Sequence, residues 1–269
     1  MDILKIIIKN KLTYIGISIC SIFVAIALNA SIPKTYKSES ILLPANVKSS
    51  NGLLDLAGVN QSDDLNFKNP AYVVAKAKSR DFFYSLYTKY NLQYYLDNTI
   101  AFDSNSQLEN AENIDFVLNN FLDYYDIYSE SINIFLNPRD NFIYASYTSN
   151  SPYFSNYFLG IILKELDHSI ALQKRDEATK MINFLKQEIN LASSTDVKQS
   201  LYNVLESNIE QNILTFVQDN YAFSYIESPS TPLNNPSPNL FTLLLSTFAS
   251  SLLLLTLILI FLKRRQEGE

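Results

Sequence analysis

A chain of 269 residues with 21 Lys and Arg against 27 Asp and Glu has a formal net charge of −6. That balance excludes a protein that grips nucleic acid or another polyanion by bulk charge. The hydrophobic share of 47% is ordinary as an average, but it conceals an apolar run near each end. Cys20 is the single cysteine and lies in the first run, so the rest of the chain neither gains nor loses from an oxidising compartment.

Residues 12–32 (LTYIGISICSIFVAIALNASI) and 240–262 (LFTLLLSTFASSLLLLTLILIFL) carry no charge. A helix needs roughly 20 mainly apolar residues to cross a ~30 Å hydrocarbon core, where lipid offers an open backbone no hydrogen bonds. Both runs meet that length and predict two transmembrane helices. The first competes with a cleaved signal peptide, having Lys5, Lys9 and Lys11 before it and Ala25, Ala27 and Ala30 near its end. Its apolar stretch exceeds the ~7–15 residues of a signal core, and an uncleaved anchor is the reading taken. Lys263, Arg264 and Arg265 follow the second run. The positive-inside rule then puts the tails, 1–11 and 263–269, in the cytoplasm. Between the spans remain 15 cations and 24 acids, a charge near −9.

After the first span, residues 36–43 (YKSESILL) alternate and close with Pro44, a strand signature. Residues 46–64, with Gly52, Gly58 and several Ser and Asn, read as a loop around LLDLAG. A helix is expected from Asn69, with Pro70 in its first turn, running unbroken through AYVVAKAKSRDFFYSLYTKY. Its inner face would be Val73, Val74, Ala77, Phe82, Leu86 and Tyr90. A second helix fits 111–124, where Ile114, Val117, Leu118, Phe121 and Leu122 recur at three and four. SINIFL (131–136) and FIYASYT (142–148) predict a hairpin that turns on residues 137–141.

From Ser151 and Pro152 the period becomes helical. Phe154, Phe158, Ile162, Leu166 and Ile170 are spaced by four, and Ala178, Ile182, Leu185 and Ile189 resume that face. The polar stretch ALQKRDE between them suits a rod leaving a globular body. Ser193 to Asp196 break the pattern, and Val197, Leu201, Val204, Ile209, Ile213 and Phe216 start a returning helix. YAFSYIE (221–227) reads as a closing strand. SPSTPLNNPSP follows, with Pro229, Pro232, Pro236 and Pro238, as a stiff extended approach to the second span. The expected organisation is an α+β base over 33–150, a helical hairpin over 151–220 and a closing strand with a proline-rich segment over 221–239.

In this order the chain resembles the Wzz-type chain-length determinants, the polysaccharide co-polymerases of bacterial inner membranes. The resemblance rests on YKSESILLP with Tyr36 and Pro44, GLLDLAG, and AKSRDFFYSLYTKYNL with its Ser79–Arg80 pair. It continues through FIYASYTSNSPYFSNYFLGIILKEL and the spaced prolines. It implies an α+β periplasmic base, a protruding helical arm and a homo-oligomeric ring. It also implies a role in setting the length of O-antigen, capsule or exopolysaccharide beside a Wzy-type polymerase and its lipid-linked glycan. Tyr36, Pro44, Ser79, Arg80 and the four prolines would be structural or interaction positions. The arm is shorter than in larger members.

No enzyme is expected. The glycines at 16, 52, 58, 160 and 268 fit no phosphate loop, which excludes fused ATP chemistry. His168 reads as a solvated helix position, and Asp63–Asp64 and Asp123/Asp126 as solvated carboxylates rather than cation or acid–base sites. The aromatic clusters 82–95 and 121–128 read as core or protomer interface, with stacking on sugars the alternative. Ser246, Thr247, Ser250 and Ser251 supply small-residue spacing in the second span, suited to helix contact or to lipid. No cofactor is implied. The rival reading is an export co-polymerase working with a separate tyrosine kinase or an outer-membrane channel. A two-span sensor is disfavoured, because about seven residues after the second span supply no output element.

Overall fold

The computed structural model describes residues 11–45, 69–90, 92–97, 102–103, 121–232 and 236–267. The expected LLDLAG loop and the first ten residues of the helix expected over 111–124 lie outside them. The chain divides into two compact units, Met1–Tyr36 with Leu233–Glu269, and Lys37–Pro232.

The first unit holds the apolar helices α1 (Lys11–Ser31) and α8 (Leu240–Glu267), which pack on each other. Leu240–Ile258, with mean hydropathy 2.1, is long and apolar enough to cross a membrane, and Gly16–Ser31 is a shorter apolar helix. Most of their large side chains are exposed, Phe23 and Leu253 among them. The small residues that let the helices approach are Ser21 and Ala25 of α1, buried four positions apart. Of the small residues read as suited to helix contact or to lipid, Thr247 and Ser251 are half-buried, and Ser246 and Ser250 are exposed. The last two turn back on their own helix, donating to the carbonyls of Leu243 and Thr247. Beyond the helix ends, Thr35 and Ser237 exchange both backbone bonds, at 2.9 and 2.8 Å.

In the second unit a four-stranded sheet has the order β2-β3-β1-β4, with β1 Tyr36–Pro44, β2 Ile132–Leu136, β3 Ile143–Ser149 and β4 Phe223–Ser230. β2 and β3 form the expected hairpin, in register from Ile132–Tyr147 to Leu136–Ile143. Its turn works through short polar side chains. Asn137 accepts from the Arg139 N–H, Asp140 accepts from the Phe142 N–H, and Asn141 takes a positive φ of 58°. β1 and β4 are antiparallel with bulges between Glu39 and Leu42. The buried Ser40 and Ser38 hydroxyls hold the carbonyls of Glu227 (2.7 Å) and Ser230 (3.2 Å) there.

The helix expected to run unbroken from Asn69 is two helices, α2 (Pro70–Ala77) and α3 (Arg80–Tyr90). Asn69 caps the first through the Ala71 N–H, with Pro70 in the first turn. Ser79 starts the second by accepting from the Phe82 N–H at 3.2 Å. After the short α4 (Leu92–Asp97), α5 spans Phe121–Ser131. It buries Tyr124 and Tyr128, whereas Leu122, expected inside, is exposed.

Helix α6 (Pro152–Leu191) has 40 residues, about 60 Å at ~1.5 Å per residue, and Ser151 caps it through the Phe154 N–H. Phe154, Phe158, Ile162, Leu166 and Ile170 are fully buried in the core beside the sheet. Farther on, Ala178, Ile182, Leu185 and Ile189 are buried along the hairpin made with α7 (Thr195–Val217). The returning helix forms as expected; along it Leu201 and Val204 are half-buried, Val197, Ile209, Ile213 and Phe216 are exposed, and Thr215 is the residue it buries. A two-helix hairpin has no third layer, so each helix covers only the strip facing its mate.

Candidate functional site

The eight positions marked from sequence fall on the β1–β4 pair, in the segment that follows it, and at the break between α2 and α3. Tyr36 opens β1 and Pro44 closes it opposite Phe223 of β4. Pro229 lies within β4 rather than in an extended linker. Between the pairs Glu39–Ser230 and Ile41–Glu227, β4 has one residue more than β1, and Pro229 falls in that interval. A residue without an N–H is tolerated on an edge strand at a bulge, and β4 is the sheet edge. Pro232 follows the strand exposed, Pro236 precedes Ser237, and the Ser237–Pro238 peptide is cis.

Ser79 and Arg80 lie at the break between α2 and α3. Ser79 Oγ accepts from Phe82 and donates to the Lys76 carbonyl at 2.8 Å. Arg80 places its guanidinium 5.4 Å from the centroid of the Tyr125 ring. The break frees backbone acceptors at Ala77 and Lys78, and α5 supplies donors: Tyr128 Oη to Ala77 O at 2.7 Å, Tyr125 Oη to Lys78 O at 2.8 Å. Sequence reasoning missed this link. Ring area points to core or protomer interface for these tyrosines but names no partner for their hydroxyls.

Most aromatic side chains of the two clusters are core. Phe83 contacts the rings of Tyr87, Phe121, Tyr125 and Tyr128, the last at 4.6 Å. Tyr84 and Tyr94 are exposed exceptions. Burial raises the phenol of Tyr128 well above its ordinary value. Burial with the hydrogen-bonded Asp97 carboxylate pushes Tyr124 up to about 12. These groups act as neutral donors.

Two carboxylates tie other elements to α6. Glu165 accepts from Tyr90 Oη at 2.5 Å and pairs with Lys89 at 2.7 Å. Burial pushes its carboxyl up, but Lys89 and Tyr90 together outweigh that and hold it below the usual value. Asp167 accepts from the Ala222 N–H at 2.6 Å, ahead of β4, and burial raises its carboxyl despite backbone donors at Tyr221, Ala222 and Phe223. His168, next to Asp167, is exposed.

At the root of the arm, Arg175 donates to the Thr215 carbonyl at 2.8 Å and its hydroxyl at 3.2 Å. Its guanidinium stacks 3.6 Å from the centroid of the Phe216 ring. This clamp on the last turn of α7 lies in the stretch read as merely polar. Among the described residues no group of three or more His, Cys, Asp and Glu is placed to hold a metal ion.

No protein-family model and no curated protein matches the chain. Solved structures do. A full-length bacterial polysaccharide co-polymerase is similar over 99% of this chain and 98% of its own, at 13% identity and a TM-score of 0.42. A fragment of WzzB, a polysaccharide co-polymerase from Salmonella Typhimurium, is similar over 76% of this chain and all of its own, at 13% identity and a TM-score of 0.37.

Proposed function

We propose that the chain is a non-catalytic membrane scaffold that sets the length of an O-antigen-type polysaccharide. It acts as a homo-oligomeric ring beside a Wzy-type polymerase and its lipid-linked glycan. The observation that carries this reading is the meeting of the two chain ends: Thr35 bonds Ser237 on both sides, and α1 packs on α8. Residues 37–232 form one compact unit whose first and last strands, β1 and β4, are partners. A body pinned at both ends suits a role exerted through shape.

The apolar surfaces of α1 and α8 support two spans of the inner membrane, and the flanking lysines and arginines support cytoplasmic tails with a periplasmic body. The arm leaves Met181, Phe184, Ile209, Ile213 and Phe216 exposed, which supports packing between copies of the chain. The resemblance set out from sequence supplies the polymer.

Deletion of the gene, followed by gel analysis of surface polysaccharide, tests the proposal. A lost modal ladder with polymer still made is the expected result. Complete loss of surface polymer would move the reading to export with a separate kinase or outer-membrane channel, and an unchanged ladder would overturn both.

A further inference from the structure

Gly160 has no packing reason to be glycine. It lies inside α6, where glycine weakens a helix relative to alanine, yet a Cβ there would meet nothing within 4 Å. The open space belongs to a hollow of about 430 Å³. Gly160, Lys164, Asp167 and His168 form its floor along one stripe of α6. The far wall is Asp219 and Asn220, from the bend after α7, with Tyr225 of β4. Asp167 fixes the distance between walls by holding the Ala222 N–H at 2.6 Å. The side chains of Lys164, Asp219 and Asn220 form no hydrogen bond or ion pair among the described residues, and all three residues are exposed.

We infer that this hollow is a saccharide subsite, taking one or two pyranose units of a neutral or N-acetylated glycan. The inference rests on the polymer-handling role proposed above. A volume of this size is in the ~300–1,000 Å³ range of small-molecule sites. A pyranose offers one face of C–H groups and a rim of hydroxyls. The electron-rich face of a tyrosine ring suits the first, and a carboxylate, an amide, an imidazole and an ammonium suit the second. Two carboxylates against one lysine disfavour a uronate or phosphate. The missing side chain at Gly160 leaves room for the ring.

The chain contains no tryptophan, so Tyr225→Trp puts a single indole reporter in the hollow. The full chain in lipid nanodiscs is titrated with maltotetraose, tetra-N-acetylchitotetraose and tetragalacturonate. The expected result is a saturable emission change with at least one of the first two. Gly160→Leu in the same background fills open space, and it is expected to raise the midpoint by about tenfold or more. Saturation-transfer NMR on the unsubstituted chain, with the same sugars, guards against damage by the reporter. The inference is overturned if neither method detects a neutral or N-acetylated sugar, if tetragalacturonate is preferred, or if Gly160→Leu changes nothing. It is also overturned if emission follows protein concentration alone, which marks a second copy as the occupant. A sugar-blind hollow in a chain whose deletion abolishes the ladder defeats this inference only. Sugar binding by a chain whose deletion leaves the ladder intact defeats the proposed function instead.

Discussion

Tyr128 donates its hydroxyl to the carbonyl of Ala77 at 2.7 Å, and both residues are fully buried. The bond closes a gap that the α2–α3 break opens, in a place water does not reach. Removing a partner from a buried acceptor costs about 1–3 kcal/mol, more than the bond itself contributes. Tyr128→Phe keeps the ring stacked on Phe83 but orphans the carbonyl. A destabilisation of that size is expected in thermal or denaturant unfolding of the purified chain. Tyr125→Phe, at an exposed bond, is expected to change stability far less. Equal small effects would show that the break does not depend on the buried hydroxyl.

The break also shows where sequence stops being informative. Residues 71–90 contain no glycine or proline to force a break, and Ser79, although a favoured cap residue, does not by itself impose one. What sustains it comes from hydroxyls 47 and 51 residues away. By contrast the strand at Tyr36, the β2–β3 hairpin and the long helix from Pro152 follow from period and turn chemistry, so they were legible. Pro229 reads as extended linker until the register is known: only the pairing with β1 reveals a bulge that accommodates it. The returning helix α7 was legible too, but not how much of its apolar spacing stays exposed for want of a third layer. Of the hollow, the α6 residues Gly160, Asp167 and His168 were legible as positions on the long helix, but the facing wall is 50 or more positions along the chain.

Arg175 bonds both the carbonyl and the hydroxyl of Thr215 while stacking on Phe216. A cation at a helix C-terminus completes free carbonyls and complements the dipole, and a planar guanidinium does so with more than one donor. Arg175→Ala is expected to destabilise the hairpin by about 1–2 kcal/mol, seen as faster hydrogen exchange in the last turn of α7. Arg175→Lys keeps the charge but loses the fork and the stacking plane, and only partial protection is expected. Full protection by lysine would reduce the clamp to a charge effect.

Glu165 and Asp167 should act oppositely on stability as pH changes. The folded value of Glu165 is depressed, so its contribution is present above its unfolded value, near ~4.3, and is lost as pH falls through the lower folded value. Asp167 is raised. Its native state holds a proton the unfolded state has released, so stability falls as pH rises from its unfolded value, near ~3.9, through the higher folded one. Asp167→Asn keeps an acceptor for Ala222 and is expected to remove that fall. Glu165→Gln is expected to remove part of the acid loss. Melting curves of the three proteins across the acid range test both signs, and parallel curves would contradict them.

The account depends most on how the chain is threaded. In intact cells, single reporter cysteines at Asp2, Ser194 and Glu269, in a Cys20→Ser background, are probed with a reagent that cannot cross the inner membrane. Labelling at 194 with protection at 2 and 269 is the expected result, on a full-length chain. Labelling at either terminus, or recovery of a protein shortened at its start, would contradict a body held between two spans and remove the basis for the scaffold.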